Sequence, residues 1–139
     1  MVGVVVLDNS VVVPLVVSDE DSVYSERVVR AADTGTRLMA PALCMMEFGN
    51  AVLMCVRRER MTRAEAWSAH HLLEELPIKF GGGMSFLELT ALQELALNSG
   101  LSFYDGAYLL MAMQQQARLA TLDKALRAAA KAQGIEIFE

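Results

Sequence analysis

Val2-Gly3-Val4-Val5-Val6-Leu7-Asp8 opens the sequence with a valine-rich run that ends on a carboxylate. Such a run, with no alternation of polar residues, reads as a strand buried on both faces, as in a parallel sheet covered by helices on either side. The residues after it support that reading. A turn and short helix lead to Val17. Ser18 and Asp21 then stand at capping-box spacing before Val23, Val28 and Val29, whose apolar face predicts a helix stopping at Gly35. Arg37 to Ala40 is a second short strand, broken by Pro41. Ala42 to Arg58 is apolar almost all round and predicts a long buried helix.

The alternation continues to the end of the sequence. Thr62 with Glu65 caps a helix running to about Leu76, Pro77 ends it, and Ile78 to Phe80 is a strand. Gly81, Gly82 and Gly83 make a flexible turn, and no Gly-Lys-Ser/Thr follows them, so this is not a phosphate-binding loop. Helices are expected over Met84 to Ser99, ended by Gly100, and from Ser102 to about Ala117. Arg118 to Leu122 is a strand, Asp123 starts a helix to Gly134, and Ile135 to Phe138 is a last strand. Strand and helix in alternation predict one α/β domain over residues 1–139, its mostly parallel sheet flanked by helices. In such sheets ligands bind beyond the carboxyl ends of the strands, where strand order reverses.

Composition narrows the function. At 54% hydrophobic and 21% charged residues, the 139-residue chain has the apolar surface to fill a core and is not a disordered or collagen-like polymer. The stretch to Val17 lacks a basic n-region and is interrupted by Asp8, Asn9 and Ser10, so it reads as neither signal peptide nor membrane span. A soluble, cytoplasmic protein is expected. Cys44 and Cys55 fall on one predicted helix, roughly 16 Å apart at about 1.5 Å per residue, too far to bridge. His70 and His71 are the only histidines and diverge by about 100° on a helix, which argues against zinc and leaves carboxylates as the reactive groups. The net charge is −5, from 12 basic and 17 acidic residues, the opposite of a generic basic nucleic-acid binder.

Four acids stand in apolar surroundings. Asp8 follows Leu7 and Asp123 follows Leu122, so both project from strand ends on one sheet edge. Each has a helix cap as its ordinary explanation. Glu47 lies in a helix with little else polar except Asn50, three residues on and on the same face, and a structural salt bridge is its ordinary explanation. Asp105 is the third residue after Ser102, a capping-box position. Taken together, the four describe an oxygen-rich edge suited to a hard divalent cation such as Mg2+ or Mn2+, which lowers the pKa of water and stabilises the leaving oxygen of a phosphodiester. Without a cation they would raise one another's pKa. Metal-assisted phosphodiester hydrolysis is the expected chemistry.

Leu7-Asp8-Asn9-Ser10, Glu47-Phe48-Gly49-Asn50, Ser102-Phe103-Tyr104-Asp105-Gly106-Ala107-Tyr108 and Ala120-Thr121-Leu122-Asp123 resemble, in order and spacing, the PIN-domain family. Within it they are most similar to the VapC-type toxins of bacterial toxin-antitoxin modules. The resemblance spans essentially the whole chain. It implies a three-layer α/β/α fold and a Mg2+- or Mn2+-dependent endoribonuclease. Asp8, Glu47, Asp105 and Asp123 match the family's acidic catalytic and metal-site positions, and Ser10, Asn50 and Thr121 match polar neighbours that hold carboxylates or waters in place. It also implies a homodimer and a cognate VapB-like antitoxin, which would carry any DNA binding. Gly81 to Gly83 is more glycine-rich than the corresponding connection in the family.

Several questions stay open on the sequence. Arg57, Arg58, Arg60 and Arg63 form one basic cluster and Arg118, Lys124, Arg127 and Lys131 another; either can contact phosphates, and solvated helix ends explain both as well. The competing function is a non-catalytic module whose acids bind a metal or a protein partner without hydrolysis. A phosphoacceptor receiver domain wants a second acid where Asn9 stands, and a serine hydrolase using Ser10 lacks a nucleophile elbow. The apolar faces of the helix bearing Met45, Met46, Val52, Leu53 and Met54 and of the one bearing Trp67, Leu72 and Leu73 suit partner contact or core packing equally.

Overall fold

The computed structural model describes residues 3–17 and 22–139. The strands are β1 (Val4–Leu7), β2 (Arg37–Pro41), β3 (Ile78–Gly81) and β4 (Arg118–Ala120). They form one sheet of order β3-β2-β1-β4, every pairing parallel, with Val5 opposite both Leu38 and Arg118, and Val6 opposite Met39 and Leu119. Val5, Val6 and Leu7 are fully buried, as a strand covered on both faces requires. The chain moves from β1 to β2 to β3 in one direction and then crosses back to place β4 on the other side of β1. Strand order therefore reverses between β1 and β4, the crevice where open α/β sheets bind ligands.

Helices α1 (Asn9–Val16), α2 (Val23–Arg30), α3 (Leu43–Arg57) and α4 (Arg63–Glu75) connect the first three strands, and α5 (Phe86–Ser99), α6 (Phe103–Gln114) and α7 (Lys124–Ala132) follow β3. Right-handed crossovers put the two groups on opposite faces, and the principal helix contacts run within each group. Layers of helix, sheet and helix result, with a core in which Phe48, Leu109, Leu119 and Leu126 are fully buried.

The expected stops are present in detail. Gly35, Gly100 and Gly134 take positive φ at helix ends. Thr62 and Glu65 make a reciprocal capping box. The Ser18 and Asp21 cap lies outside the described residues; Ser22 caps α2, its Oγ accepting from Ser25 N. Three expectations need correction. Only Cys44, Phe48, Val52 and Cys55 of α3 are buried, while Met46 is 76% exposed, because a helix on the outer layer covers one stripe only. The last strand reduces to a single bridge from Ile137 to Leu119. Met84 is not helical: α5 begins at Phe86 behind a Ser85–Glu88 capping box. Both cysteines are free. Among the described residues no helix is long and apolar enough to cross a membrane.

Candidate active site

The carboxyl ends of β1 and β4 meet at the reversal point, where Asp8 N donates to Ala120 O at 3.2 Å. Asp8 occupies the N-cap position of α1, but its carboxylate does not cap the helix. It is 6% exposed and is gripped from two sides: Ser10 Oγ donates to Oδ1 at 2.5 Å, and Thr121 Oγ1, itself fully buried, donates to Oδ2 at 2.6 Å. The two hydroxyls also accept, Ser10 Oγ from Leu122 N of the opposite loop at 2.9 Å and Thr121 Oγ1 from Asp123 N of its own loop at 3.0 Å. Ser10 and Thr121 thus cross-link the β1 and β4 loops through a single carboxylate. Burial pushes the Asp8 carboxyl up from 3.8 to about 6 against those two hydroxyls, and Asp105 and Asp123 push it further in the same direction.

Asp123 keeps its ordinary cap, with Oδ1 accepting from Leu126 N at 2.9 Å and its second oxygen uncommitted by that bond. Asp105 stands in the first turn of α6, where Ser102 Oγ accepts from its N–H at 3.0 Å. Its carboxyl is raised by burial first and by the Asp123 charge second. The charges of Asp105 and Asp123 thus bear on Asp8, and that of Asp123 on Asp105.

Glu47 is placed differently. The buried Tyr108 hydroxyl, reaching from α6, donates to Glu47 Oε1. Cys44, one helical turn earlier on α3, lies beside the same phenol; its thiol is pushed up to about 12, chiefly by burial, and the charges of Asp8 and Glu47 act on it in the same sense. Tyr108 is likewise raised, by burial and by Cys44 and Glu47. Glu47 thus reaches the edge of the Asp8 site through Cys44 and Tyr108. It opens on a cleft of ≈ 550 Å³ lined also by Asn9, Asn50, Met46 and Tyr104. As the side chains stand, no three His, Cys, Asp or Glu among the described residues share one metal-coordination sphere.

Sequence reasoning missed Tyr108, whose partner is 61 positions away, and Asn9, whose Oδ1 is buried with no hydrogen-bond partner beside Glu47 in the cleft. Arg127, singled out on the sequence as a possible phosphate contact, instead donates from Nε to Thr121 O at 2.7 Å while its guanidinium lies over Tyr24 at 5.1 Å. Arg118 likewise covers the Phe138 ring at 4.9 Å. Two members of the second basic cluster are thereby committed to structure.

The PIN domain model matches residues 5–132 of the chain. The chain belongs to the PIN domain family. Among solved structures it is similar to PAE2754 from Pyrobaculum aerophilum, at 22% identity and TM-score 0.67 over 92% of this chain and 79% of that one. It is also similar to FitAcB from Neisseria gonorrhoeae, at 18% identity and TM-score 0.63 over 97% and 96%. A domain of a functionally unknown protein from Methanocaldococcus jannaschii DSM 2661 shares 17% identity and a TM-score of 0.56 over 98% and 89%. Comparison with curated protein sequences finds no match. PIN domains are typically nucleases that use a divalent metal. The donor set of this chain fits such an ion in kind: all oxygen, in mutual repulsion, with the orphaned Asn9 oxygen nearby.

Proposed function

We propose that this PIN domain is a Mg2+- or Mn2+-dependent endoribonuclease and the toxin of a toxin-antitoxin module, acting in the cytoplasm as a homodimer and restrained by a VapB-like antitoxin. The observation that carries the reading is Asp8, a buried carboxylate held by Ser10 and Thr121 at the strand-order reversal, whose ionisation is opposed by Asp105 and Asp123. A divalent ion at the three aspartates would supply a water nucleophile at neutral pH and charge stabilisation for the leaving oxygen of a phosphodiester.

The chain's own groups then have separate tasks. Asp8 is held by one hydroxyl donor on each oxygen, which leaves lone pairs on both for a cation. Asp105 and Asp123 face it from α6 and from the start of α7. Glu47, fixed by Tyr108, borders the cleft where Asn9 and Asn50 offer amides to a phosphate or a ribose hydroxyl. The alternative of a non-hydrolytic PIN-like module is favoured by one feature, the lack of a three-ligand sphere among the described residues as they stand. Mg2+ meets that objection, since it usually retains several waters and takes only one or two carboxylates directly.

The test is cleavage of structured RNA by purified, antitoxin-free protein with Mg2+ or Mn2+, with and without EDTA, beside Asp8→Asn and Asp105→Asn. Loss of cleavage on chelation and in both variants is expected. Cleavage that survives chelation and substitution overturns the metal mechanism. Co-purification of a small neighbouring-gene product tests the antitoxin.

A further inference from the structure

The hairpin of α3 and α4 encloses a groove of ≈ 710 Å³ whose walls include Leu53, Val56, Arg57, Arg63, Trp67 and His70. Trp67, the single tryptophan of the chain, is 70% exposed there, and Leu53 is 43% exposed. The His70 ring is set edge-on against buried Phe48, with centroids 5.9 Å apart. No acidic residue lines the groove, and neither Arg57 nor Arg63 has a carboxylate partner among the described residues. In a chain of net charge −5, this is an aromatic face flanked by two uncompensated guanidinium groups.

Helix α3 contributes to both the groove and the Glu47 cleft. Met46, Asn50, Leu53 and Arg57 follow one another at i, i+4, i+7 and i+11 on α3, one exposed stripe of a single helix. Its first two residues line the Glu47 cleft and its last two line the groove. At about 1.5 Å per residue, Arg57 lies roughly 15 Å along the axis from Glu47, within reach of an extended strand of a few nucleotides. An exposed ring that any base can stack on, beside cations for the backbone, is the chemistry of single-stranded nucleic-acid binding. A peptide would satisfy the apolar wall but leave both guanidinium groups dependent on its having acids at matching positions.

We propose that the α3–α4 groove is a binding subsite for single-stranded RNA, one base stacking on Trp67 and the adjoining phosphates pairing with Arg57 and Arg63. The direction of the strand, from groove to cleft, rests on the ribonuclease reading; the binding itself does not.

Trp67 reports on the groove directly. Titrating a short unstructured RNA into Asp8→Asn protein in EDTA is expected to quench its emission, with an affinity that weakens as salt rises. By anisotropy of labelled RNA, Trp67→Leu weakens binding roughly tenfold. Arg57→Gln with Arg63→Gln weakens it similarly and lowers the salt slope by about two. Lys131→Gln, which removes one positive charge from the opposite layer, leaves the affinity within about twofold. In cleavage assays the groove variants act mainly through a raised KM. Unchanged emission, groove variants that bind like the parent, or an equal loss in Lys131→Gln overturns the proposal. So does a blue shift of Trp67 with an acidic apolar peptide that RNA does not displace, which gives the groove to a protein partner. RNA that quenches Trp67 in a chain that never cleaves supports the subsite while rejecting the ribonuclease.

Discussion

Asp8 carries its charge against burial and against two neighbouring acids, and the consequence is a measurable pH dependence. Its folded value of about 6 lies above the ordinary 3.8, a gap worth about 3 kcal/mol between the charged and neutral forms. A raised carboxyl stabilises the fold fully below its unfolded value, and that contribution is lost as pH rises through the folded one. The metal-free protein should therefore lose stability between about pH 4 and pH 6.5, and Asp8→Asn should remove the loss. Thermal unfolding in EDTA at pH 7.5 is expected to show the variant several degrees more stable than the parent, and inactive on RNA, while the two converge near pH 4. A variant less stable than the parent at pH 7.5 would mean that the two hydroxyls satisfy the carboxylate better than burial penalises it. Thr121→Val acts on the same balance in the other direction. It takes a donor from Asp8 and orphans the Asp123 N–H, so it should cost about 1–3 kcal/mol and move the acid limb of the pH–rate profile upward.

Helices α5 and α6 show what the elements contribute and how far they could be foreseen. A Cβ on Gly106 would stand 2.9 Å from Leu92 Cδ1 and 3.4 Å from Ala96 Cβ, so this glycine lets α6 approach α5 closely. Gly106→Val should force the two apart at a cost of about 1–3 kcal/mol. Because α5 packs chiefly on α6, hydrogen exchange should quicken over residues 86–99 and change little in β1. Element boundaries were legible wherever a local hydrogen bond or a backbone constraint sets them, as at the Thr62–Glu65 box and at Gly35, Gly100 and Gly134. Where tertiary cover decides, they were not. The apolar residues of α3 do not say which of its faces meets the sheet, and Ile135 to Phe138 has strand composition but only one bridge. The site divides in the same way. Asp8 was conspicuous because a carboxylate after a valine run needs a reason, and Ser10 and Thr121 donate to it. Tyr108 and Asn9 were silent because their roles depend on Glu47, which chain distance hides.

Over the whole molecule the charge distribution turns these local facts into a linkage between acidity and cation binding. The excess of 17 acidic over 12 basic residues includes three aspartates gathered at the strand-order reversal, where the apo fold holds Asp8 and Asp105 above their ordinary values. Under the proposed function a divalent ion would bind the deprotonated carboxylates, so protons and metal would compete for the same oxygens. An ion that binds only the folded chain stabilises it by about 2.7 kcal/mol at a hundred times its dissociation constant. Near pH 5, where Asp8 is mostly protonated, a larger part of that gain is spent on removing the proton. The rise in Tm on adding Mg2+ should therefore be several degrees at pH 7.5 and much smaller at pH 5, with K+ at matched ionic strength as the control for screening. Asp8→Asn should abolish the rise at both pH values, and Asp105→Asn should reduce it. Isothermal titration calorimetry in buffers of different ionisation enthalpy would count the protons released, expected to approach one per ion near pH 5 and to fall away at pH 7.5. A rise in Tm that is the same at both pH values, or that persists in Asp8→Asn, would place the cation elsewhere on the protein and separate the buried aspartate from the metal chemistry assigned to it.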